Sequence, residues 1–375
     1  MSVPDGAPAV NTKNYSRKFD YLDTDALKDV KRFILATDVD EPGRKLEEEL
    51  ARRLGKERCL RVVWPTGVKD ANELLVKYGV EWVKAVVGNP APYPIEGLYS
   101  LVDFEDKLDD IFFNGPKLGV NPGWEFFGQH YTVKPGEMTI VTGIPSHGKS
   151  EFIDSVMINL AKTHGWRFGV FSPENQPIEQ HAQKMVEKIL KQRMYKGHLI
   201  PKKDYIKAKG VIFKTFEFIL PKSCSVQDIL DMAKIAVQRR GINGLVLDPW
   251  NEMDHNRASG MTETEHISQS LTKIRTFARD NGVHVWLIAH PKKLDKHKET
   301  GEYPVPTPWD ISGSANWRNK ADCCLTVFRD VMDDLGRVDI HIQKVRNRWV
   351  GKLGRVTMRY NINTSEYIEW AEDNQ

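Results

Sequence analysis

The residues best suited to chemistry run from position 143 to 150: Gly143-Ile144-Pro145-Ser146-His147-Gly148-Lys149-Ser150. They read G-x-x-x-x-G-K-S, the spacing of a P-loop. Gly143 and Gly148 let the chain wrap closely, so that N–H groups from Ser146 and His147 through Glu151 can point at phosphate oxygens. In that pattern Lys149 neutralises the β- and γ-phosphates of a nucleoside triphosphate (ATP, or another NTP or dNTP), and the Ser150 hydroxyl ligates Mg²⁺. The alternative is an accidental glycine-rich turn, which in a chain of 375 residues arises at a rate on the order of one in a hundred.

Other candidates stand at the ends of apolar runs. Gly244-Leu245-Val246-Leu247 ends in Asp248, the form of a Walker B acid that holds Mg²⁺. Glu174, in Ser172-Pro173-Glu174-Asn175, is suited to polarising an attacking water, with Glu252 as the rival base. His290 closes the run Val283–Ala289 and is suited to bonding the γ-phosphate; a satisfied structural histidine is the plain alternative. Arg346 and Arg348 follow the run Ile340–Val345, where a solvated basic edge is the ordinary reading.

These residues need elements to position them. Met138–Val141 is β-prone, and Phe152, Ile153, Val156, Met157 and Leu160 share one helical face, so the motif sits between a strand and a helix. From Gly123 onward strands alternate with helices, which predicts an α/β fold with a mainly parallel sheet. In such sheets ligand residues gather at the C-terminal strand ends. A helix is expected at 177–190, followed by a Lys-rich polar segment reaching about Lys209, and another helix, after the run ending in Asp248, at 268–280. Further strands are expected at 324–328, 340–345 and, last, 356–360.

Residues 1–92 read as a unit of their own. A buried strand, Arg32–Thr37, runs into Asp38-Val39-Asp40-Glu41-Pro42-Gly43 and then a helix carrying Leu46, Leu50 and Leu54 on one face. A second strand, Cys59–Trp64, precedes the turn Lys69-Asp70-Ala71-Asn72-Glu73. Asp38 and Asp40 point the same way from extended chain and can share a hard divalent cation; a merely charged loop is the alternative. Pro90, Pro92 and Pro94 open a linker, 93–122, whose Leu101, Phe104, Leu108, Ile111 and Phe112 predict an amphipathic helix over 98–113. The third division is 123–375.

Composition sets limits. The net charge of +3 is too small to argue for nucleic acid, so any basic footprint is local. No apolar run approaches the roughly 18 residues of a bilayer span. The N-terminus has no signal-peptide pattern and shows no transit segment. Cys59, Cys224, Cys323 and Cys324 form no C-x-x-C pair, so neither a zinc site nor a disulfide framework is expected.

Two resemblances follow. The block Ala36–Arg44 with Lys69–Glu73 resembles the second half of a TOPRIM domain, the fold of primases and topoisomerases. It implies metal-binding acids at Asp38, Asp40 and Asp70. The family's general-base Glu lies upstream of a segment like Ser2–Gly6 and is not in this chain, so primer synthesis is not expected. The P-loop, Ser172–Asn175, Ala289–Lys293, Asp310–Ala315 and Lys344–Arg348 occur in the order used by the DnaB-like ring helicases, and the whole chain resembles their Twinkle-like primase-helicase branch.

That resemblance implies a RecA-like core, a hexameric or heptameric ring, and NTP-driven translocation on single-stranded DNA. By position it makes Glu174 the catalytic base, His290 the γ-phosphate sensor, Arg348 a finger reaching the next subunit with Arg346 beside it, and Arg329 a residue near the nucleotide base. Forked DNA, a single-strand-binding protein and a polymerase are the implied partners, with no membrane. The implied compartment is a bacterial or phage-infected cytoplasm, or a mitochondrial or plastid matrix. A ring needs basic, polar loops along its pore. One candidate holds Asn256 and Arg257. The other runs through Lys292, Lys293 and Lys296 to Ser312-Gly313-Ser314, Arg318 and Lys320, directly after the sensor. Open readings are a RecA-type filament on single strands, TOPRIM nucleotidyl transfer, and an idle accessory chain.

Overall fold

The computed structural model describes residues 3, 6–13, 15–99, 101–257, 259–299, 301–313, 315–329 and 336–370. The chain separates into two compact units between Gly115 and Pro116.

The first unit follows from its leucine spacing. A short helix α1 (Asp25–Lys28) precedes β1 (Phe33–Leu35), which pairs in parallel with β2 (Cys59–Arg61); β3 (Ala91–Pro92) adds antiparallel to β2. Between them lies α2 (Glu41–Leu54), whose Leu46, Leu50 and Leu54 are buried with Leu35, Phe19 and Leu22. Asp40 starts this helix by accepting the Gly43 N–H at 2.8 Å. Position 43 must be glycine, because a Cβ there would sit 2.3 Å from the Asp38 carbonyl oxygen. The second strand is shorter than its expected span to Trp64, since the chain turns at Pro65 and Val63 already faces solvent.

Two more helices, α3 (Ala71–Tyr78) and α4 (Val80–Gly88), complete the α/β part. The expected helix over 98–113 forms only from 101: a 3₁₀ turn at Leu101–Phe104, then α5 (Glu105–Asn114). Gly97, with φ +86°, turns the chain before it. Leu101, Leu108, Ile111, Phe112 and Phe113 are all exposed.

In the second unit, among the described residues, a nine-stranded sheet has the order β12-β11-β10-β9-β4-β8-β7-β5-β6. The strands are β4 (Met138–Thr142), β5 (Phe168–Phe171), β6 (Phe216–Phe218), β7 (Gly244–Leu247), β8 (His284–Ile288), β9 (Cys323–Arg329), β10 (Arg337–Val345), β11 (Gly354–Asn361) and β12 (Glu366–Glu369). The six from β9 to β6 run parallel, and β10 to β12 continue antiparallel. Every residue of β4, β5, β7 and β8 is buried, as parallel strands covered on both faces must be.

One face packs on α7 (Lys149–His164), α8 (Ile178–Leu190) and α9 (Lys202–Thr215), the other on α10 (Val226–Arg240) and α11 (Glu263–Asn281). The short α6 (Glu125–His130) and α12 (Asn316–Lys320) flank them. Three features depart from the sequence reading. Helix α11 starts five residues before position 268, because Thr262 and Glu265 form a reciprocal capping box that apolar spacing does not register. The Lys-rich segment contains α9, anchored by buried Ala208 and Ile212, and leads into β6. A further strand, β12, lies beyond the one expected to be last.

Candidate nucleotide site

The site is assembled from strand ends. At the end of β4 the chain must turn against its neighbour: a Cβ at Gly143 would lie 2.2 Å from the Val327 carbonyl oxygen of β9. Gly148, at φ +92°, then launches α7, whose first residues are Lys149, Ser150 and Glu151. The Thr142 hydroxyl donates to the Ala289 carbonyl at 2.9 Å, which fixes the base of the loop to the residue before His290. Loop, helix start and histidine are therefore one assembly.

Lys149 is buried, and its Nζ donates to the Gly143 carbonyl at 2.9 Å and the Ile144 carbonyl at 3.1 Å. Burial lowers its pKa to about 8, against the pull of Asp248 and Glu174. Asp248 follows β7 and is buried; burial raises its carboxyl to about 6, the Ser150 hydroxyl bond opposes this, and Asp154 and Glu174 add to it. Ser150 and Asp248 offer only oxygen donors, and burial raises the Asp248 carboxyl even with Lys149 and His181 near it. That donor set fits a hard divalent cation.

Glu174 lies past β5, half exposed, with Oε1 3.8 Å from His290 Nε2. His290 itself is pushed down to about 4, by burial first and Lys149 second, so the ring is neutral at pH 7 and the contact is not an ion pair. Its Nδ1 is buried without a partner among the described residues. Arg329 ends β9: its backbone N–H donates to His147 Nδ1 at 3.0 Å, while its Nε is buried without a partner among the described residues. Ser146 adopts φ +66° at the loop's exposed tip. Glu151 gives its carboxylate to Lys188 at 2.6 Å and Lys184 at 3.4 Å, so only its backbone is left to face a phosphate.

Spacing alone did not pick out Asp154 and His181. They form a buried contact of 3.1 Å joining α7 to α8. Burial works against the charge on His181, but Asp154 outweighs it and raises the pKa. The only sequence signal was an acid on the core-facing side of α7.

Other candidates lie apart from these contacts. Arg346 pairs with buried Asp322 at 3.2 Å and donates to the Asn319 carbonyl at 3.0 Å, which makes it an anchor for the end of β10. Arg348 is exposed and has no ion-pair partner among the described residues. Asn256 bonds back to Asp254, and Arg257 is exposed. Lys292 and Lys293 are exposed, Lys296 lies over the Tyr303 ring at 4.9 Å, and Arg318 over Trp309 at 5.4 Å. Lys320 donates to the Ser268 carbonyl at 2.7 Å and so fastens α12 to α11. The Ser312 and Gly313 carbonyls accept from Trp317 and Thr264, and Ser314 is outside the described residues.

In the first unit Asp70 caps α3 by accepting the Glu73 N–H at 2.7 Å, as Asp40 caps α2. Asp38 is raised by burial, then by Asp40 and Asp70. Among the described residues no three His, Cys, Asp or Glu side chains gather as a metal cluster. The expected shared cation thus meets two carboxylates already engaged as helix caps. No described helix is long and apolar enough to cross a membrane.

Comparison with known proteins agrees with this geometry. The chain is 41% identical to the Twinkle homolog protein, chloroplastic/mitochondrial, of Arabidopsis thaliana, over 98% of this chain and 55% of that protein. It is 24% identical to the DNA helicase/primase of Enterobacteria phage T3, over 99% of this chain and 65% of that one. The chain therefore spans about half to two thirds of these relatives. The solved structure of a DnaB-like replicative helicase superposes with a TM-score of 0.57 at 15% identity, covering 87% of this chain and 74% of that one, which establishes the RecA-like fold. Residues 121–369 match the family of the DnaB-like helicase C terminal domain, and to that family the chain belongs.

Proposed function

We propose that this chain is the motor of an NTP-driven replicative DNA helicase that works as a ring on single-stranded DNA. The observation that carries the reading is the convergence of Lys149, Asp248, Glu174 and His290 on the ends of β4, β7, β5 and β8, beside a helix N-terminus. Lys149 would leave the loop carbonyls it now contacts and neutralise phosphate oxygens. Glu174 would orient and deprotonate the attacking water, and the neutral His290 would donate a hydrogen bond toward the γ-phosphate. Mg²⁺, held by Ser150 and Asp248, would supply charge screening of the phosphates. Arg348, exposed and without an ion-pair partner among the described residues, would reach the site of a neighbouring copy, and the bare apolar face of α5 suits a chain that assembles. Arg329 and His147 would sit against the base.

A pH profile tests the site assignment. Asp248 must lose its proton to hold a cation, so kcat/KM falls as pH drops below about 6. Lys149 must keep its proton to bind phosphate, so kcat/KM also falls as pH rises past about 8. Each limb steepens to about tenfold per pH unit. An alkaline limb that begins only above about pH 9.5, near the ordinary lysine value, would remove Lys149 from the phosphates.

The loop after His290 is the proposed DNA contact, since movement at the sensor passes directly into it. Lys292→Ala with Lys293→Ala should weaken single-strand binding and flatten its salt dependence by about 1.4 in slope, near 0.7 per lost phosphate contact. Basal hydrolysis should be spared. Equal loss of both would take these lysines off the DNA path. The direct experiment on the function is strand separation: the chain should unwind forked DNA with ATP, and Lys149→Ala should not.

A further inference from the structure

The Lys-rich segment has no role in the nucleotide site or the proposed DNA loops. Between residues 191 and 214 stand eight Lys or Arg side chains against the single acid Asp204, a net +7 in a chain whose total is +3. All other residues together are therefore net negative. The excess is confined to one stretch of the sequence.

The fold keeps this charge outward. Helix α9 buries Ala208 and Ile212, which leaves Lys203, Lys207 and Lys214 on its exposed side. The segment leaves α8 where Lys191 pairs with Glu366 of the edge strand β12. It ends where α9 runs into β6, the opposite edge. Among the described residues, none of Lys196, Lys202, Lys203, Lys207 and Lys214 has an ion-pair partner. Lys202 and Lys203 also occupy the first turn of α9, where positive charge opposes the helix dipole. Unpaired like charges held close together lower stability, so a solvated face of mixed sign would have been more stable.

Aromatic rings are interleaved with the charges. Tyr195 is 63% and Phe213 65% exposed, and Lys209 lies over the Tyr205 and Phe213 rings at 5.3 and 5.7 Å. A purely electrostatic surface has no use for exposed rings, whereas unpaired bases stack on them. From Lys203 to Lys214 the helix extends about 16 Å, a length over which one strand of B-form DNA carries about five phosphates.

We infer that the surface of residues 191–214 binds a single nucleic-acid strand through its phosphates and bases, as a contact separate from the loops after β7 and β8. This rests on the motor reading only for the identity of the nucleic acid. A helicase holds two strands apart, and this surface offers the second strand a place to lie.

The test uses the full chain without nucleotide, and a fluorescent oligo-dT as probe. In Lys202→Gln/Lys203→Gln/Lys207→Gln/Lys214→Gln, all at exposed positions, affinity at low salt should fall at least tenfold. The log–log salt slope should drop by about 3, near 0.7 for each charge removed. Tyr195→Ala with Phe213→Ala should weaken oligo-dT binding several-fold and leave the slope unchanged. Hydrolysis stimulated by a short oligonucleotide should stay at the wild-type level in both variants. Unchanged affinity and slope in the lysine variant would overturn the assignment. So would competition by duplex DNA or poly-glutamate as effective as by oligo-dT, since the surface would then read charge alone. If instead the wild-type chain showed no DNA-stimulated hydrolysis but the slope still fell in the lysine variant, the motor reading would fail and this one would stand.

Discussion

Arg348→Ala should lower DNA-stimulated ATP hydrolysis by about a thousandfold or more while leaving nucleotide affinity close to wild type. The magnitude is that of an arginine finger, whose charge meets the transferring phosphoryl group only as negative charge spreads over it. The geometry motivates the choice of this residue over its neighbour. Arg346 already commits its guanidinium to Asp322 and to the turn before β9, so Arg346→Ala should act mainly through the end of β10. Arg348 has no such engagement among the described residues. Because it would act on another copy, mixing Arg348→Ala with Lys149→Ala protein should restore part of the activity: one partner supplies a sound loop and the other a sound finger. Hydrolysis that survives Arg348→Ala intact would take the finger role from this residue.

Glu174→Gln should lower the rate of hydrolysis by about a hundredfold to ten-thousandfold, the range typical of losing a general base, with ATP still bound. The amide keeps the shape of the side chain and its approach to His290, so the loss falls on kcat rather than on binding. Glu252 is the competing assignment. It adds a favourable charge near His290, though a smaller effect than burial or Lys149. The parallel variant Glu252→Gln separates the two: if it abolishes turnover and Glu174→Gln does not, the base belongs after β7 and not after β5.

Much of this was legible in the sequence where local chemistry and long-range structure agree. The loop from Gly143 to Ser150 announces itself because glycine spacing, the lysine and the flanking apolar patterns all serve one ligand. Asp248, Glu174 and His290 could be placed because each ends an apolar run, and parallel sheets collect such ends. What stayed hidden depends on partners distant in sequence. Nothing near Asp154 says that His181, 27 residues on, will meet it inside the protein. Nor does Glu151 reveal that its carboxylate will be taken by Lys188. Likewise Asp40 and Asp70 suit metal ligation by type, but a helix start immediately after each gives the same oxygens another use. Helix α9 was obscured because its charges mask a narrow buried stripe of Ala208 and Ile212.

The most direct measurement is specific ATPase activity against protein concentration, with and without single-stranded DNA. If each catalytic site is completed by a neighbouring copy and coupled to a bound strand, activity per chain rises with concentration to a plateau, and DNA raises that plateau. Activity per chain that is independent of concentration and indifferent to DNA, or no hydrolysis at all, would contradict it.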